Sequence, residues 1–569
     1  MQLRSALLPI CALVLLTESS SAGDIYVNAN LTTGADDGSS WANAFQGPTG
    51  LRKASVQAAS GQVIFVAQGK YQPAITLRKR SIPMKTGVQV YGGFLGTESS
   101  VEERPPIGSA PSIVTGDLNG DDAMGLYSDN SFHLFTAIGA DSTAVLDGFE
   151  LVSGNASGAN SSEPFGAAIL VKDSVGAPTI RNCSFSENRA SLGGAVFVQN
   201  SGVSILDCSF ESNVSIGWGG AVTVALTSSD PDVSPVKIDR CAFFDNLASW
   251  YGGALDVNLA TVELTNCLFV NNSAIEGGGA IACANSDTVE QGALDMRGCT
   301  VVSNTTQNPY GAGLRTYGIG SFDLEVANSI FWENRGQQGV DSPYEQIYSQ
   351  GTVRYSIVEG GISGSGNLDL DPAFADAAAG DYRLSAASPA IDAGDSNAAG
   401  KLLTLDLGGA PRRVDDPTII DTGTGGSPAT DMGAFERCIG VVDTLCEALP
   451  NSTGTPSVLV ATGSLSVIAN DVNFVAEHLP LSQFGYFLLS ASRDTIPVSA
   501  GVLCLGAPQL RFNQDVLDSG TAGSMSFSPD LKSLPQGQVV QPGETWYFQL
   551  WHRDGADSNF SSSLAFTWE

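Results

Sequence analysis

The stretch Cys241-Ala242-Phe243-Phe244-Asp245-Asn246, followed closely by Gly252-Gly253-Ala254, decides how this chain folds. The same letters recur in register on both sides of it. Upstream, Cys183, Phe185 and Asn188 precede Gly193-Gly194-Ala195, and Cys208, Phe210 and Asn213 precede Gly219-Gly220-Ala221. Downstream, Cys267, Phe269 and Asn272 precede Gly278-Gly279-Ala280. A weaker copy has Cys299, Val301, Asn304 and Gly311-Ala312-Gly313, and a last one keeps Ser329, Phe331 and Asn334. The repeat is roughly 25 to 33 residues long, the range in which self-similarity means stacked coils rather than a closed globule.

Each copy reads as short strands separated by turns. An aliphatic residue stands three before every member of the cysteine column: Ile180, Ile205, Ile238, Leu264, Met296 and Val326. One copy cannot bury its own apolar face, but coils stacked about 4.8 Å apart bury all of them in one core. The asparagines, five residues after each column cysteine or serine, are expected to form a ladder of amides, each donating to one neighbour and accepting from the other. The glycine pairs supply tight turns where a Cβ would clash. Length variation falls in the polar stretches Leu226–Pro235 and Asn285–Gln291, as expected of loops that leave the coil undisturbed.

The F-x-x-N and G-G-A pattern resembles the repeats of polymorphic outer-membrane proteins. More broadly it resembles right-handed parallel β-helix proteins related to pectate lyases. The resemblance covers roughly residues 180 to 335 and implies an all-β fold, a right-handed parallel β-helix. The entrance, with Ser40-Trp41 and Val66-Ala67-Gln68-Gly69-Lys70-Tyr71, is similar to the N-terminal part of secreted pectate-lyase-like proteins. Within it Leu51–Ala59 is predicted to form a short helix covering the first coil, and Val63–Val66 a buried strand.

Beyond Val358 the repeat fades. Ser388-Pro389-Ala390-Ile391-Asp392-Ala393-Gly394-Asp395 and Asp431-Met432-Gly433-Ala434-Phe435-Glu436 resemble the closing segment of secreted bacterial β-helix proteins, described as anchor-associated. It is expected to be a polar final coil and cap. The resulting division is 1–22 signal peptide, 23–436 β-helix with cap and closing segment, 437–456 linker, and 457–569 a small C-terminal β-sandwich. The last rests on alternating apolar runs such as Phe484–Ser490 and Thr545–Trp551.

Met1–Ala22 has Arg4, an apolar run from Ala6 to Leu16 and Ser20-Ser21-Ala22, the make-up of a secretory signal; the run is short for a membrane span. A secreted or cell-surface protein is expected, with no transmembrane segment in the mature chain and too few residues after the repeats for a self-export barrel. A net charge of −32 excludes a nucleic-acid partner, which requires a basic footprint. The column cysteines are expected to act as small buried residues, since parallel Cβ vectors disfavour bridges between rungs. Outside the column, Cys438, Cys446 and Cys504 leave room for one bond, with Cys446–Cys504 the preferred pair.

Three constellations could carry function. The residue before each glycine pair runs Phe165, Leu192, Trp218, Tyr251, Gly277, Tyr310, with Trp250 beside Tyr251. Trp218, Trp250, Tyr251 and Tyr310 either offer ring faces to a polysaccharide or cell-surface glycan, or pack over the turns. A second column holds Lys237, Glu263, Asp295 and Glu325. It is either a solvated acidic face or a source of the paired acids that glycosidases use. Arg315, in the register of Asp256 two coils earlier, completes the candidate catalytic set of Glu263, Asp295, Glu325 and Arg315 for a pectate-lyase-like reaction. No full catalytic motif accompanies it. Third, Asp117, Asn119 and Asp121 read as the start of a calcium loop or as an Asp/Asn turn. The three histidines show no metal-ligand spacing. The leading expectation is binding or adhesion to carbohydrate; the alternatives are a polysaccharide lyase or glycoside hydrolase, and a structural surface protein.

Overall fold

The computed structural model describes residues 23–569 except 159, 161–162, 228–232, 286–291, 319–321, 338–341, 399–404, 415, 417–418, 427, 438–447, 463–466, 468–469, 471, 542–543 and 569. Residues 1–22, read from the sequence as a signal peptide and containing Cys11, and Cys438 and Cys446, lie outside the described residues.

Every copy of the repeat except the last makes four strands, and these pair in parallel with their counterparts in the next coil. In one coil these are Val236–Asp239 on face 1, Ala242–Phe244 on face 2, Leu247–Ala248 on face 3 and Leu255–Asn258 on face 4. The four sheets contain 12, 10, 6 and 9 strands respectively, so the coils wind one continuous tube. Parallel strands joined by crossovers of this kind wind right-handed, giving a right-handed parallel β-helix.

Matching letters are vertical neighbours. Phe185 pairs with Phe210, Phe210 with Phe243 and Phe243 with Phe269. Their rings stack at 4.5, 4.8 and 4.5 Å within 5° of parallel. The asparagines form the expected ladder, Asn188 to Asn213 to Asn246 to Asn272 to Asn304 to Asn334, each amide donating to the next at 2.9 or 3.0 Å. Gln346 ends it, accepting from Asn334 at 2.7 Å. The column cysteines are buried and free, and their thiols donate to backbone carbonyls, for example Cys267 to Thr265 O at 3.0 Å. Cys504 is disulfide-bonded.

The glycine pairs do what their chemistry requires. A Cβ on Gly220 would stand 2.0 Å from Gly253 O, and one on Gly253 would stand 1.9 Å from Gly279 O. The two corners flanking face 2 turn differently, through single left-handed residues. Asn182, Asp207, Arg240 and Asn266 have φ of 49° to 53°, and Glu187, Ser212, Asp245 and Asn271 have φ of 54° to 57°. Each such residue costs roughly 1 kcal/mol, which the packing of the neighbouring strands must offset.

The helix Gly50–Gln57 buries Leu51 and Ala54 in the core and covers the first coil, as expected. That core is continuous from Ile25 to Val358.

The closing segment differs from its expected role. It is not a final polar coil but a strap lying along the outside of face 2. Tyr382, Leu407 and Phe435 pack on Leu268, Val270 and Val302, and Ala390, Ile391 and Met432 pack on Ile330 and Ile357. Asn328 Oδ1 accepts from Asp395 N at 2.7 Å, and Ala434 N donates to Thr300 Oγ1 at 2.9 Å. The reason is in the face itself. Its outward residues are Ser184, Ser186, Ser209 and Glu211 in the early coils but Leu268, Val270, Val302 and Trp332 later, which demands a cover.

The C-terminal residues form small antiparallel sheets. Val458–Thr462, Asn473–Glu477 and Met525–Phe527 make one. Phe484–Ser490, Thr545–Asp554 and Asp557–Thr567 are central to another. Phe474 of the first stacks on Phe548 of the second at 4.4 Å, as in a sandwich. Residues 450–456, read from sequence as linker, dock here: Asn451 Nδ2 donates to Ser457 Oγ at 2.9 Å and to His478 O at 2.7 Å. Among the described residues no helix is long and apolar enough to cross a membrane.

Candidate functional site

The outward residues of face 4 align as Thr223, Asp256, Ala282, Arg315 and Tyr348 through successive coils. The residue before each glycine pair folds over this row. Phe165 stacks on Phe197 at 4.7 Å, and Tyr310 stacks on Tyr348 at 5.1 Å. At Gly277 the ring is missing because Arg315 occupies its place; a Cβ there would lie 2.4 Å from Arg315 Cδ.

The aromatic column divides into rings that pack over the turns and rings that stay exposed. Trp218 is half-buried, with its Nε1 buried and without a partner among the described residues, and it meets Trp250 edge-on at 5.9 Å. Tyr251 is half-buried and stacks on Tyr317 at 4.0 Å, within 8° of parallel. Trp250 (53% exposed) and Tyr310 (40%) face solvent. The structure adds two rings missed in the sequence, Tyr344 (61%) and Tyr348 (41%). They follow the repeat's last glycines, in the short helix Pro343–Gln346 and the strand Ile347–Tyr348, where no register marks them. Tyr317, Phe322, Tyr344 and Tyr348 line a cleft of about 580 Å3.

Arg315 sits between the rings of Tyr251 and Tyr348, 5.8 Å from each, and its Nη1 donates to Glu276 O at 2.6 Å. Asp256 is fully buried beneath Tyr317, whose hydroxyl donates to Asp256 Oδ1 at 2.9 Å. Loss of hydration pushes the Asp256 acid up to about 8, against the smaller opposing effect of the Tyr317 hydrogen bond.

The catalytic grouping read from the sequence does not assemble. Glu263, Asp295 and Glu325 are vertical neighbours, but they stand on face 1, whereas Arg315 stands on face 4. Each acid also has a cation. Lys237 Nζ lies 3.8 Å from Glu263, Arg297 makes a two-pronged contact with Asp295 at 2.6 and 2.7 Å, and Arg354 pairs with Glu325. Like charges stacked on adjacent strands repel, and these pairings relieve it.

At the calcium candidate, Asp117 and Asp121 are joined by Asp129, with carboxylate oxygens within 4.8 Å of one another. Asn119 instead donates its backbone N–H to Asp129 Oδ2 at 3.0 Å. Burial, then the charges of Asp129, Asp117 and Asp122, raise the Asp121 acid above its ordinary value. Three carboxylates fit a hard cation. Asp117 Oδ1 also accepts from Gly120 N at 2.6 Å and Asp121 N at 3.2 Å, the bonding of an Asp turn. Asp129 was missed because it stands ten residues from Asn119 in sequence.

Comparison with known proteins agrees with the architecture. The family described as "Right handed beta helix region" matches residues 145–305, the central coils. The metabotropic glutamate receptor-like protein R of Dictyostelium discoideum is 31% identical over 206 residues, which is 32% of this chain and 12% of that protein. The chain thus spans only a small part of that relative's length. Among solved structures, full-length tailspike protein 2 of Escherichia coli O157:H7 bacteriophage CAB120 aligns over 95% of this chain and 68% of its own, with 9% identity and a TM-score of 0.17, too low to support an argument.

Proposed function

We propose that this is an exported saccharide-binding protein that acts in adhesion at the cell surface or in the extracellular matrix. The observation that carries the reading is the ring cluster at the end of face 4. Tyr310 and Tyr348 stack on each other and remain two-fifths exposed, Tyr344 stands edge-on to Tyr310 at 6.5 Å, and a cleft opens beside them. Exposed aromatic faces on a rigid wall suit the apolar faces of sugar rings, and rigidity limits the ordering cost of binding. Export rests on the signal-like leader, and the strongly negative charge favours a neutral glycan over an anionic one.

Cleavage of the glycan is the second reading. It is favoured by the shared register of Asp256 and Arg315 and opposed by the complete burial of Asp256. Calcium at Asp117, Asp121 and Asp129 is a separate expectation that the saccharide reading does not require. A glycan array run with and without calcium, followed by reducing-end and unsaturated-product analysis of any hit, tests all three. A glycan retained intact supports binding, released product supports the enzyme, and no retained glycan leaves a structural surface protein.

A further inference from the structure

We infer that Asp256 is a positioning residue for the saccharide site, holding Tyr317 at the cleft wall and, through it, the stacked Tyr251 ring. This rests on the saccharide reading above, and it assigns to a buried residue a part that no exposed ring plays.

The geometry is built across three coils. Asp256 and Asn258 stand on one strand, Ala282 and Ala284 on the next, and Arg315 and Tyr317 on the third, in matched register. The two alanines leave a gap between Asp256 and Asn258 on one side and Arg315 and Tyr317 on the other. Across that gap Tyr317 reaches back to Asp256, and Arg315 reaches back to Glu276 O over the bare backbone of Gly277. Tyr317 therefore has its hydroxyl fixed by Asp256, one face fixed by Tyr251, and its remaining surface at the cleft. Without the carboxyl oxygen, the hydroxyl would be buried without an acceptor, which disfavours the observed ring position.

The surroundings fix the charge state. The titratable groups about Asp256 are the phenols of Tyr317 and Tyr251 and the buried Cys283 thiol, which burial and Asp256 push well up. Arg315, two coils along, directs its guanidinium to a carbonyl and the rings rather than to the carboxyl. Burial raises the Asp256 acid to about 8, which favours its neutral form near pH 7. The sign follows. As pH rises through about 8 a charge forms in an unhydrated site, a cost larger than the gain from a stronger Tyr317 bond, so the arrangement loosens.

The test uses the full chain, the glycan identified by the array, and near-UV circular dichroism as a readout that needs no ligand. Wild type is expected to lose glycan retention and aromatic dichroism together as pH passes about 8. Asp256→Asn keeps an oxygen that accepts from Tyr317 but cannot ionise, so its retention and dichroism, whatever their level at pH 7, are expected to show no break near pH 8. Tyr317→Phe, which keeps the ring and removes the donor, is expected to weaken retention roughly tenfold at pH 7. Identical pH profiles for wild type and Asp256→Asn, or full retention in Tyr317→Phe, would overturn the inference. If no glycan binds, the saccharide reading fails by itself; a dichroism break present in wild type and absent in Asp256→Asn would still support the positioning link.

Discussion

The side-chain amide of Asn246 donates to Asn272 Oδ1 at 2.9 Å, although 26 residues separate the two in sequence. The same nitrogen donates to Phe210 O at 3.0 Å, and Asn246 Oδ1 accepts from the backbone and side-chain nitrogens of Asn213, both at 3.0 Å. Asn246 is wholly buried, so every one of these groups would lack water if the amide were removed.

Asn246→Ala is therefore expected to destabilise the β-helix by about 3 to 5 kcal/mol, since it strands several buried donors and acceptors at about 1 kcal/mol or more each. Urea unfolding followed by far-UV circular dichroism measures it. A midpoint unchanged from wild type would mean that the ladder follows the fold without supporting it.

The ladder was legible because one residue type is required at every coil. Stacked amides must match, and a Gly pair is forced wherever carbonyls approach within 2 Å of a would-be Cβ. The corners beside face 2 left no such trace. Their left-handed positions accept Asn, Asp, Arg, Glu and Ser alike, so no letter recurs. The strap was misplaced for a related reason. Its own letters suit a cap, and the signal for its true position lies elsewhere, in the change from Ser209 and Glu211 to Leu268 and Val270 on the outer wall. The candidate site was half legible. Trp250 and Tyr310 stand in the repeat, whereas Tyr344 and Tyr348 lie beyond it. The Tyr317–Asp256 bond crosses an intervening coil, a relationship that nearest-neighbour columns do not express.

The exposed rings give a second prediction. Tyr310→Ala with Tyr348→Ala removes one stacked pair from the cleft, and retention of the array-identified glycan is expected to fall at least tenfold, about 1.5 kcal/mol or more. Stability should change little, because both rings are partly in water. Trp218→Ala is the contrast. Its ring is half-buried, so its loss should lower the unfolding midpoint more than it lowers retention. Undiminished glycan retention in the double tyrosine variant would remove this site from the binding surface.

The strap predicts a pH dependence of its own. Asp431 and Glu436 are buried beside Arg412, the one buried cation among the described residues, whose Nη1 is 3.6 Å from Glu436 Oε2. Burial pushes the Asp431 acid up to about 7 and that of Glu436 well above its ordinary value, and Asp406 is raised for the same reason. Acids raised in the folded state contribute stability that is whole below their ordinary range, near 4, and is lost as pH rises through about 7. The strap should therefore loosen between about pH 4 and about pH 7 while the coils beneath it hold. Hydrogen exchange at Ala434, whose N–H donates to Thr300 Oγ1, reports the strap, and exchange at Asn246, whose N–H donates to Asn272 Oδ1, reports the coils. After correction for intrinsic rates, protection at Ala434 is expected to fall across that interval and protection at Asn246 to stay constant. Asp431→Asn, which removes one of the ionisations, should flatten the Ala434 profile. Protection at Ala434 that is constant or rises with pH would mean that Arg412 compensates the buried acids in full.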